Sequence, residues 1–308
     1  MITNKKELQK RITPSKETIK KVKQKIRKEI RKKVKKDKLK ALVIGISGGL
    51  DSAVVAALCQ KKYTGVPLIG ISIPMDSTDE HREQAKWVGE KYCDVFEEFI
   101  YWQTTGYSNN FKKNENCIDN NKIMNIAFKS LETNDKIAKK ADFEIKEEYK
   151  SVLKGNMKAR LRMITLYDMA RRVDGMVLST DNLSEYNMGF WTINGDVGDY
   201  GPIQNIGKGF ELPELAKELN IREDIIFQKP SDGLMVTADN TDEAQLGATY
   251  KEIDMIMFVK DNPKEIDKKF RKRFLDKKKS KKIIQRYKST KFKRIGTINL
   301  TRKQIGIK

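Results

Sequence analysis

Residues 41–58 read Ala-Leu-Val-Ile-Gly-Ile-Ser-Gly-Gly-Leu-Asp-Ser-Ala-Val-Val-Ala-Ala-Leu. The first six residues are an apolar run with β-branched side chains, which is typical of a buried parallel strand. The last six are small and apolar, and this pattern favours a helix that packs closely on a sheet. A polar loop with two adjacent glycines separates the two runs. The stretch therefore predicts a strand–loop–helix unit of an α/β fold.

The loop of residues 47–52, Ser-Gly-Gly-Leu-Asp-Ser, contains the residue types that a phosphate site requires. Gly48 and Gly49 allow the backbone to approach a ligand closely and to adopt positive φ. The loop N–H groups and the helix N-terminus then point at one place and attract an anion. Asp51 offers a carboxylate with which a magnesium ion can bridge protein and phosphate. An ordinary strand–turn–helix, with glycines in the turn, is the alternative interpretation.

This loop matches neither the G-x-x-x-x-G-K-[ST] motif nor the G-x-G-x-x-G motif. It resembles instead the pyrophosphate-binding loop of the ATP pyrophosphatases, which split ATP between the α and β phosphates. The resemblance implies a Rossmann-like fold of the adenine nucleotide alpha hydrolase type, in which helices flank a parallel sheet.

Strand and helix patterns alternate along the chain. Residues 66–73, 95–100 and 175–180 predict strands, whereas residues 79–92 and 156–173 predict helices. Such alternation indicates a parallel sheet with ligands at the carboxyl ends of its strands. We expect Ser47 and Thr180 at two such ends. The Gly-rich residues 189–209 predict a functional loop.

Length and composition limit the possible classes of protein. The 308 residues fit one large α/β domain or two small ones. A membrane span takes about eighteen apolar residues in a row, which the chain lacks, and its Lys-rich N-terminus does not read as a signal peptide. His81 is the only histidine, so a multi-histidine metal site is excluded. The spacing of Cys59, Cys93 and Cys117 indicates neither a metal site nor a disulfide framework, and we expect a cytoplasmic protein.

The net charge of +21 comes entirely from the two ends of the chain. Residues 1–40 contain 18 Lys and Arg against 4 Asp and Glu, and residues 264–308 contain 19 against 3, so residues 41–263 carry −9. We therefore divide the chain into a basic N-terminal helix (1–40), an ATP pyrophosphatase domain (41–262) with a polar insertion (103–150), and a basic helical tail (263–308). Solvated helix faces explain the charge most simply, and non-specific attraction of nucleic acid is the alternative.

Thr13 and Pro14 predict the start of the N-terminal helix, with Thr13 as N-cap and Pro14 in the first helical position. Apolar residues then recur every three or four positions from Ile19 to Val34. This stripe predicts packing on the core or on a second subunit. A membrane-surface helix is the alternative, and the absence of Trp and Phe from the stripe counts against it.

Several separate segments resemble one family, the ammonia-dependent NAD synthetases. The resemblance covers about residues 41–255, in the family's order, and extends to the tail at residues 290–294. The matching segments are residues 47–52, 156–163, 179–185, 189–192, 195–196, 229–231 and 242–250. The resemblance implies a reaction in two steps. The carboxylate of deamido-NAD attacks the α-phosphate of ATP and pyrophosphate leaves; ammonia then displaces AMP and gives NAD.

The resemblance also implies roles for individual residues. The residues expected to bind ATP are Gly45, Ile46, Ser47, Gly48, Gly49, Leu50, Asp51, Ser52, Thr180, Lys208 and Ser231. Those expected to hold Mg²⁺ are Asp51 and Glu185. Those expected to bind deamido-NAD are Arg160, Asp199 and Lys293. Asp51, Asp196 and Asp199 are the expected catalytic residues, and one of the last two would take a proton from ammonia.

Simpler roles exist for several of these residues. Glu185 and Arg160 would otherwise be solvated side chains, and Thr180 would cap the following helix. Asp196 and Asp199 would otherwise shape Asx-turns.

Three positions depart from the family pattern. Ile193 follows Thr192 where many members have a lysine. The residues Ser72-Ile73-Pro74 stand where many members have an arginine before Leu-Pro, and Phe292 stands where a histidine is common. These departures are compatible with adenylation, and they bear on the affinity for the substrate.

Two other functions compete with NAD synthesis. The first is another adenylating enzyme of the same loop class, such as a tRNA-modifying one; the basic ends favour it, and the segments around Glu185 and 242–250 count against it. The second is a non-enzymatic nucleic-acid-binding protein, which would leave residues 47–52 unexplained. We expect free ammonia as the nitrogen source, since no cysteine precedes the loop. The family resemblance also implies a homodimer, the commonest oligomer.

Overall fold

The computed structural model describes residues 1–75, 77–99, 120–144, 146–231 and 241–296, with the backbone alone for residues 120–128 and 148. The strands are Leu42–Gly45 (β1), Leu68–Ser72 (β2), Val95–Glu98 (β3) and Met176–Val177 (β4). The first helices are Lys5–Ile12 (α1), Lys16–Lys36 (α2), Leu50–Leu58 (α3), Lys61–Thr64 (α4), Asp79–Tyr92 (α5), Asn120–Lys140 (α6) and Lys150–Arg172 (α7). The later ones are Leu183–Met188 (α8), Glu211–Glu218 (α9), Glu223–Ile226 (α10), Asp242–Leu246 (α11), Tyr250–Asp261 (α12), Lys268–Leu275 (α13) and Lys278–Ser289 (α14).

The four strands form one parallel sheet in the order β3-β2-β1-β4. Leu42 in β1 lies opposite Leu68 in β2 and Met176 in β4. Helices α3, α5 and α7 pack against these strands or against one another. The predicted α/β fold with a flanked parallel sheet is confirmed. Because all strands run in one direction, the ends of β1, β2 and β4 meet along one edge of the sheet.

Strand β4 is shorter than the predicted segment 175–180. Asp199 N–H donates to Val177 O at 2.9 Å, and Leu178 forms an isolated parallel bridge with Tyr200. The chain around residue 199 therefore pairs along the end of β4. The predicted strand at 95–100 is β3, which ends at Glu98; Ile100 lies outside the described residues.

The predicted helix start at Thr13-Pro14 is wrong. Thr13 is the C-cap of α1, and its N–H donates to Gln9 O at 3.0 Å. The next helix begins after Ser15, whose side chain accepts from Thr18 N–H. Thr13 and Ser15 are both residue types that cap helix N-termini, and Ser15 is the one that caps this helix.

The apolar stripe of α2 packs on the core. Ile19, Ile30 and Val34 are buried, and α2 contacts α4 and α9. At the other end of the chain, α12, α13 and α14 share a second core with α1, in which Leu8 is fully buried. The described helices of both terminal segments are therefore parts of the packed protein. Among the described helices, none is long and apolar enough to cross a bilayer.

Candidate active site

The loop after β1 is held in shape by its own serines. Ser47 N–H donates to Ser52 Oγ at 3.3 Å, and Gly49 N–H donates to Ser47 Oγ at 3.2 Å. Ser52 Oγ donates to Gly49 O at 3.0 Å. The next helix, α3, begins at Leu50 with Gly49 as N-cap. The loop is therefore preorganised, with a helix N-terminus available to an anion.

Gly48 requires the absence of a side chain for two reasons. Its φ is +86°, which L side chains rarely adopt. A Cβ at this position would also lie 2.2 Å from the backbone oxygen of His81 in α5. The first of the two predicted glycines thus lets the loop fold against the helix that follows β2.

A cavity of about 240 Å³ opens at this edge of the sheet. Its walls come from the loop after β1, the ends of β2 and β4, helices α5 and α7, and the Gly-rich segment around residue 195. The predicted site residues that line it are Gly45, Ile46, Ser47, Gly49, Asp51, Thr180, Glu185, Asp196, Lys208 and Ser231. Those that do not line it are Gly48, Leu50, Ser52, Arg160, Asp199 and Lys293. The structure thus brings most of the predicted ATP and metal residues to one cavity.

One amine and three carboxylates form the charged centre of the cavity. Lys208 Nζ lies 2.9 Å from Asp51 Oδ2 and 2.9 Å from Glu185 Oε1. It lies 3.5 Å from Asp242 Oδ2. The side chain of Lys208 is 11% exposed and that of Asp242 is 3% exposed, so water screens these charges poorly.

Neighbouring side chains hold the carboxylates in place. Tyr250 O–H lies 2.8 Å from Asp242 Oδ2 and 3.2 Å from Glu185 Oε1. Asn182 Nδ2 donates to Asp51 Oδ1 at 2.8 Å. Asn182 is also the N-cap of α8, in a capping box with Glu185. Thr180 is therefore not needed as the cap of this helix.

The pKa values in the cluster follow from burial and from neighbouring charges. Burial raises the pKa of Glu185 to about 8; the Lys208 amine opposes this rise, and the carboxylates of Asp51 and Asp242 add to it. Burial would lower the pKa of Lys208, but the three carboxylates hold it well above its ordinary value. The amine is therefore a permanent cation, and the cluster carries excess negative charge when all three carboxylates ionise.

Asp196 occupies another wall of the same cavity. Its carboxylate accepts from Thr192 N–H at 2.9 and 3.1 Å. The pKa of Asp196 is raised to about 7, mainly because the surrounding protein desolvates its carboxylate. The residue is nevertheless exposed toward the open cavity. A carboxylate with this pKa is suited to accept a proton near neutral pH.

Asp199 faces away from the cavity. Its carboxylate accepts from Val177 N–H at 3.1 Å and from Tyr167 O–H at 2.8 Å. These bonds attach the Gly-rich segment to β4 and α7. The predicted role of Asp199 in catalysis and in binding deamido-NAD stays a prediction.

Arg160 and Lys293 contact backbone carbonyls outside the cavity. Arg160 donates to Ile193 O at 3.3 Å from its Nη2. Lys293 Nζ donates to Gly189 O at 2.8 Å and also to Trp191 O. Both cations thus bind the segment that carries the cavity residues Phe190 and Trp191. Their predicted contact with deamido-NAD stays a prediction.

Sequence reasoning missed several residues of the cavity. Asp242 lines the cavity, and its hydrogen-bond partner Tyr250 supports it from behind; the two residues stand at the ends of the segment 242–250, so that segment contained the signal. Arg162 also lines the cavity, and its Nε donates to Ile73 O at 3.1 Å. This contact brings a guanidinium to the end of β2, where the family pattern has an arginine in the strand. Residues 160 and 162 do not share a helix face, so only one of the two can point at the cavity.

The donor set fits a magnesium ion that is shared with a phosphate. Asp51 and Glu185 each place an oxygen 2.9 Å from one cation, the Lys208 amine. Mg²⁺ in nucleotide enzymes is typically held by one or two carboxylates together with substrate phosphates. Within the described ranges, no group of three or more metal-ligating side chains is found.

Comparison with known proteins adds independent findings. A family model described as NAD synthase matches the chain in two overlapping segments, residues 22–127 and 103–296. The NH₃-dependent NAD⁺ synthetase of Finegoldia magna is 35% identical over 237 residues, which are 76% of this chain and 83% of that protein. The structure of NMN synthetase from Francisella tularensis has a TM-score of 0.66 at 26% identity, over 92% of this chain and 98% of that one. The NH₃-dependent NAD synthetase from Campylobacter jejuni has a TM-score of 0.65 at 24% identity, over 92% and 99%, and supports the fold alone.

Proposed function

The chain belongs to the NAD synthase family, and we propose that it converts deamido-NAD to NAD with ammonia and ATP. The observation that carries the proposal is the common cavity, in which the phosphate loop, the Lys208 cluster and Asp196 all meet. ATP is cleaved to AMP and pyrophosphate while a carboxylate becomes an amide. The enzyme is thus an amide-forming ligase.

The first step needs little activation of the nucleophile. The substrate carboxylate is already ionised, so no histidine base is required. The protein must instead hold the triphosphate and offset the charge that develops on pyrophosphate. The loop at residues 47–52 and the N-terminus of α3 serve this purpose, together with the Lys208 amine.

Asp51 and Glu185 are the proposed ligands of Mg²⁺. Their oxygens already converge on one cation, as the contacts of Lys208 illustrate. When bound, the ion neutralises phosphate charge and polarises the reacting phosphoryl group. Asn182 and Tyr250 keep the two carboxylates oriented.

The second step is the attack of ammonia on the adenylated carboxyl group. Nitrogen acquires a positive charge as the C–N bond forms, and a base must take a proton before AMP leaves. Asp196 is the proposed base, because it lines the cavity and has a pKa raised to about 7. Trp191 lines the same cavity, and its aromatic ring is the proposed contact for the nicotinate ring.

Nicotinate mononucleotide is a second candidate substrate. The NMN synthetase of Francisella tularensis is among the similar structures. In addition, the three residues predicted to bind deamido-NAD, namely Arg160, Asp199 and Lys293, do not line the cavity. A substrate without the second nucleotide would not need them.

The experiment is a turnover assay with purified protein, Mg-ATP and ammonium, and with either deamido-NAD or nicotinate mononucleotide as acceptor. Equal amounts of AMP, pyrophosphate and amidated product are expected, with the higher kcat/KM for deamido-NAD. A folded sample that forms no amide from either acceptor would reject the proposal. ATP consumption that responds to tRNA and not to deamido-NAD would favour a tRNA-modifying enzyme.

A homodimer is also proposed. Helix α7 exposes apolar side chains along one side, including Leu153, Ile164 and Tyr167, which are 36%, 62% and 41% exposed. A second copy that covers this side would bury them. Sedimentation equilibrium of the wild type and of I164E measures this directly, with a weaker dimer expected for the variant.

The cellular setting and the basic ends support two smaller proposals. We propose a cytoplasmic location, since Cys59 and Cys93 are free thiols, as is usual in reducing compartments. The basic faces of α13 and α14 are proposed to attract nucleic acid only non-specifically, in a manner that salt abolishes.

A further inference from the structure

Lys208 occupies the space in which Asp51 and Glu185 would share a metal ion. Its amine lies 2.9 Å from an oxygen of each carboxylate, and Asp242 approaches it from a third side. Two cations cannot share that space. The lysine must therefore leave whenever both carboxylates bind a metal.

The departure of the amine is costly unless it finds another anion. The three carboxylates are at most 18% exposed, and the aromatic ring of Tyr250 lies 4.5 Å from Lys208 Nζ. An amine that moves away loses its contacts with three carboxyl groups and a cation–π contact at once. A metal ion alone would neutralise the carboxylates, but it would leave the lysine without an anionic partner in a poorly solvated cavity.

The side chain can move while the backbone stays fixed. Lys208 N–H donates to Ser184 Oγ at 2.9 Å, which anchors the main chain. The four-carbon stem is flexible, and the residue lines the same cavity as the phosphate loop. A triphosphate bound at residues 47–52 would thus offer the amine a new anionic partner within the cavity.

We infer that Lys208 is a built-in counter-ion that closes the metal site until a nucleotide arrives, so that metal binds together with nucleotide and not before it. The inference rests on the proposed function for the identities of the metal and the nucleotide. It explains why three carboxyl groups converge on a single amine. It also makes metal and nucleotide binding mutually dependent. The metal supplies a partner for the carboxylates and the nucleotide supplies one for the displaced amine, so the binding of each favours the binding of the other.

The test measures Mn²⁺ binding by electron paramagnetic resonance, without turnover. The wild type is titrated with Mn²⁺ alone and with Mn²⁺ plus α,β-methylene-ATP, which cannot be cleaved at the reacting bond. Tight binding is expected only with the analogue. Lys208→Met removes the amine at similar length, and it should tighten the binding of Mn²⁺ alone by about 5- to 150-fold, the usual range of coupling between two binding events.

Two controls locate the effect. Lys217→Met removes an exposed lysine that pairs with Glu214 on α9, and it should leave Mn²⁺ binding unchanged. The double variant Lys208→Met/Asp51→Asn should lose the tight Mn²⁺ site. If Lys208→Met does not fold, as judged by circular dichroism, the inference is tested by comparing the wild-type titrations with and without the analogue.

The inference is overturned if the wild type binds Mn²⁺ equally tightly with and without the analogue, or if folded Lys208→Met gains no affinity for Mn²⁺ alone. Either result can coexist with normal NAD formation, which would leave the proposed function intact. Conversely, nucleotide-dependent Mn²⁺ binding without any amide product would reject the proposed function and leave this inference standing.

Discussion

Asn182 donates its side-chain N–H to Asp51 Oδ1 at 2.8 Å and so connects the helix after β4 to the loop after β1. The same side chain accepts from Glu185 N–H at 3.1 Å as the N-cap of α8. One buried amide therefore orients a proposed metal ligand and stabilises the helix that carries the other. The amide can do both because its oxygen and nitrogen point in different directions.

Replacement of Asn182 separates these two roles. N182A loses the cap and the bond to Asp51, and we expect about 1 kcal/mol lower stability together with about tenfold weaker Mg-ATP binding. N182S keeps a cap but cannot donate to Asp51 from the same position, so it should share the weaker binding and retain most of the stability. Urea unfolding and calorimetric titration measure the two effects. Unchanged Mg-ATP affinity in both variants would contradict the orienting role.

Gly48 and Gly65 form a matched pair for testing the loop. Both have φ near +86°, but a Cβ at Gly65 meets nothing within 4 Å, whereas one at Gly48 meets His81 O. We expect G65A to cost about 1–2 kcal/mol of stability, the cost of the left-handed conformation. G48A should cost about 1–3 kcal/mol more, because the backbone of α5 must also move.

The effect on nucleotide binding should differ as well. G48A shifts the loop that faces the triphosphate and should abolish ATP binding in the folded protein. G65A lies in the turn before β2 and should bind ATP normally. Equal losses of stability in G48A and G65A would show that contact between a Cβ at residue 48 and His81 O adds nothing to the cost of the substitution.

Asp196 predicts a pH dependence whose sign follows from its raised pKa. Below about pH 7 its carboxyl group is protonated and cannot accept a proton from nitrogen; above that pH it is ionised. The rate of amide formation, expressed per free NH₃, should therefore rise with pH through about 7 and then level off. Expressing the rate per NH₃ removes the titration of ammonium itself from the profile.

D196N should lower kcat by about 10²- to 10⁴-fold, the range for a general base. It should also remove the rise near pH 7, while the exchange of pyrophosphate into ATP, which reports the first step, continues. A D196N profile that still rises through pH 7 would assign the titration to another group.

The sequence predicted the parts of the fold that depend on local pattern. The buried strand before Ser47, the glycine at position 48 and the helix over residues 79–92 each have a signal within a few residues. The Lys208 cluster has none, because its partners come from positions 51, 185 and 242, and only the folded sheet brings them together. The family resemblance implied that Lys208 is a phosphate ligand, but no sequence pattern indicates its pairing with three carboxylates.

The Gly-rich segment illustrates the same limit at short range. Asp196 and Asp199 are three residues apart in a loop without periodicity, so no pattern indicates which one faces the cavity. The structure directs Asp196 inward through Thr192 N–H and Asp199 outward to Val177 N–H. Both contacts depend on the path of the backbone, and the many glycines allow too many conformations for that path to be predicted from the sequence.

Asp199 provides the final prediction, since its contacts indicate a stabilising role. Its carboxylate accepts from a backbone N–H of β4 and from the Tyr167 hydroxyl. D199A loses both bonds and leaves Val177 N–H without this partner, so we expect a loss of about 1–3 kcal/mol of stability. Y167F removes only the hydroxyl and should cost about 0.5–1.5 kcal/mol. Because neither residue lines the cavity, the KM for deamido-NAD should stay within twofold or so of the wild type in both variants. A large rise in this KM in D199A, with stability like that of the wild type, would instead support the role that the family resemblance gives to Asp199. Urea unfolding and initial-rate kinetics on the same preparations distinguish the two outcomes, and Y167F reports how much of any change arises through the shared hydrogen bond.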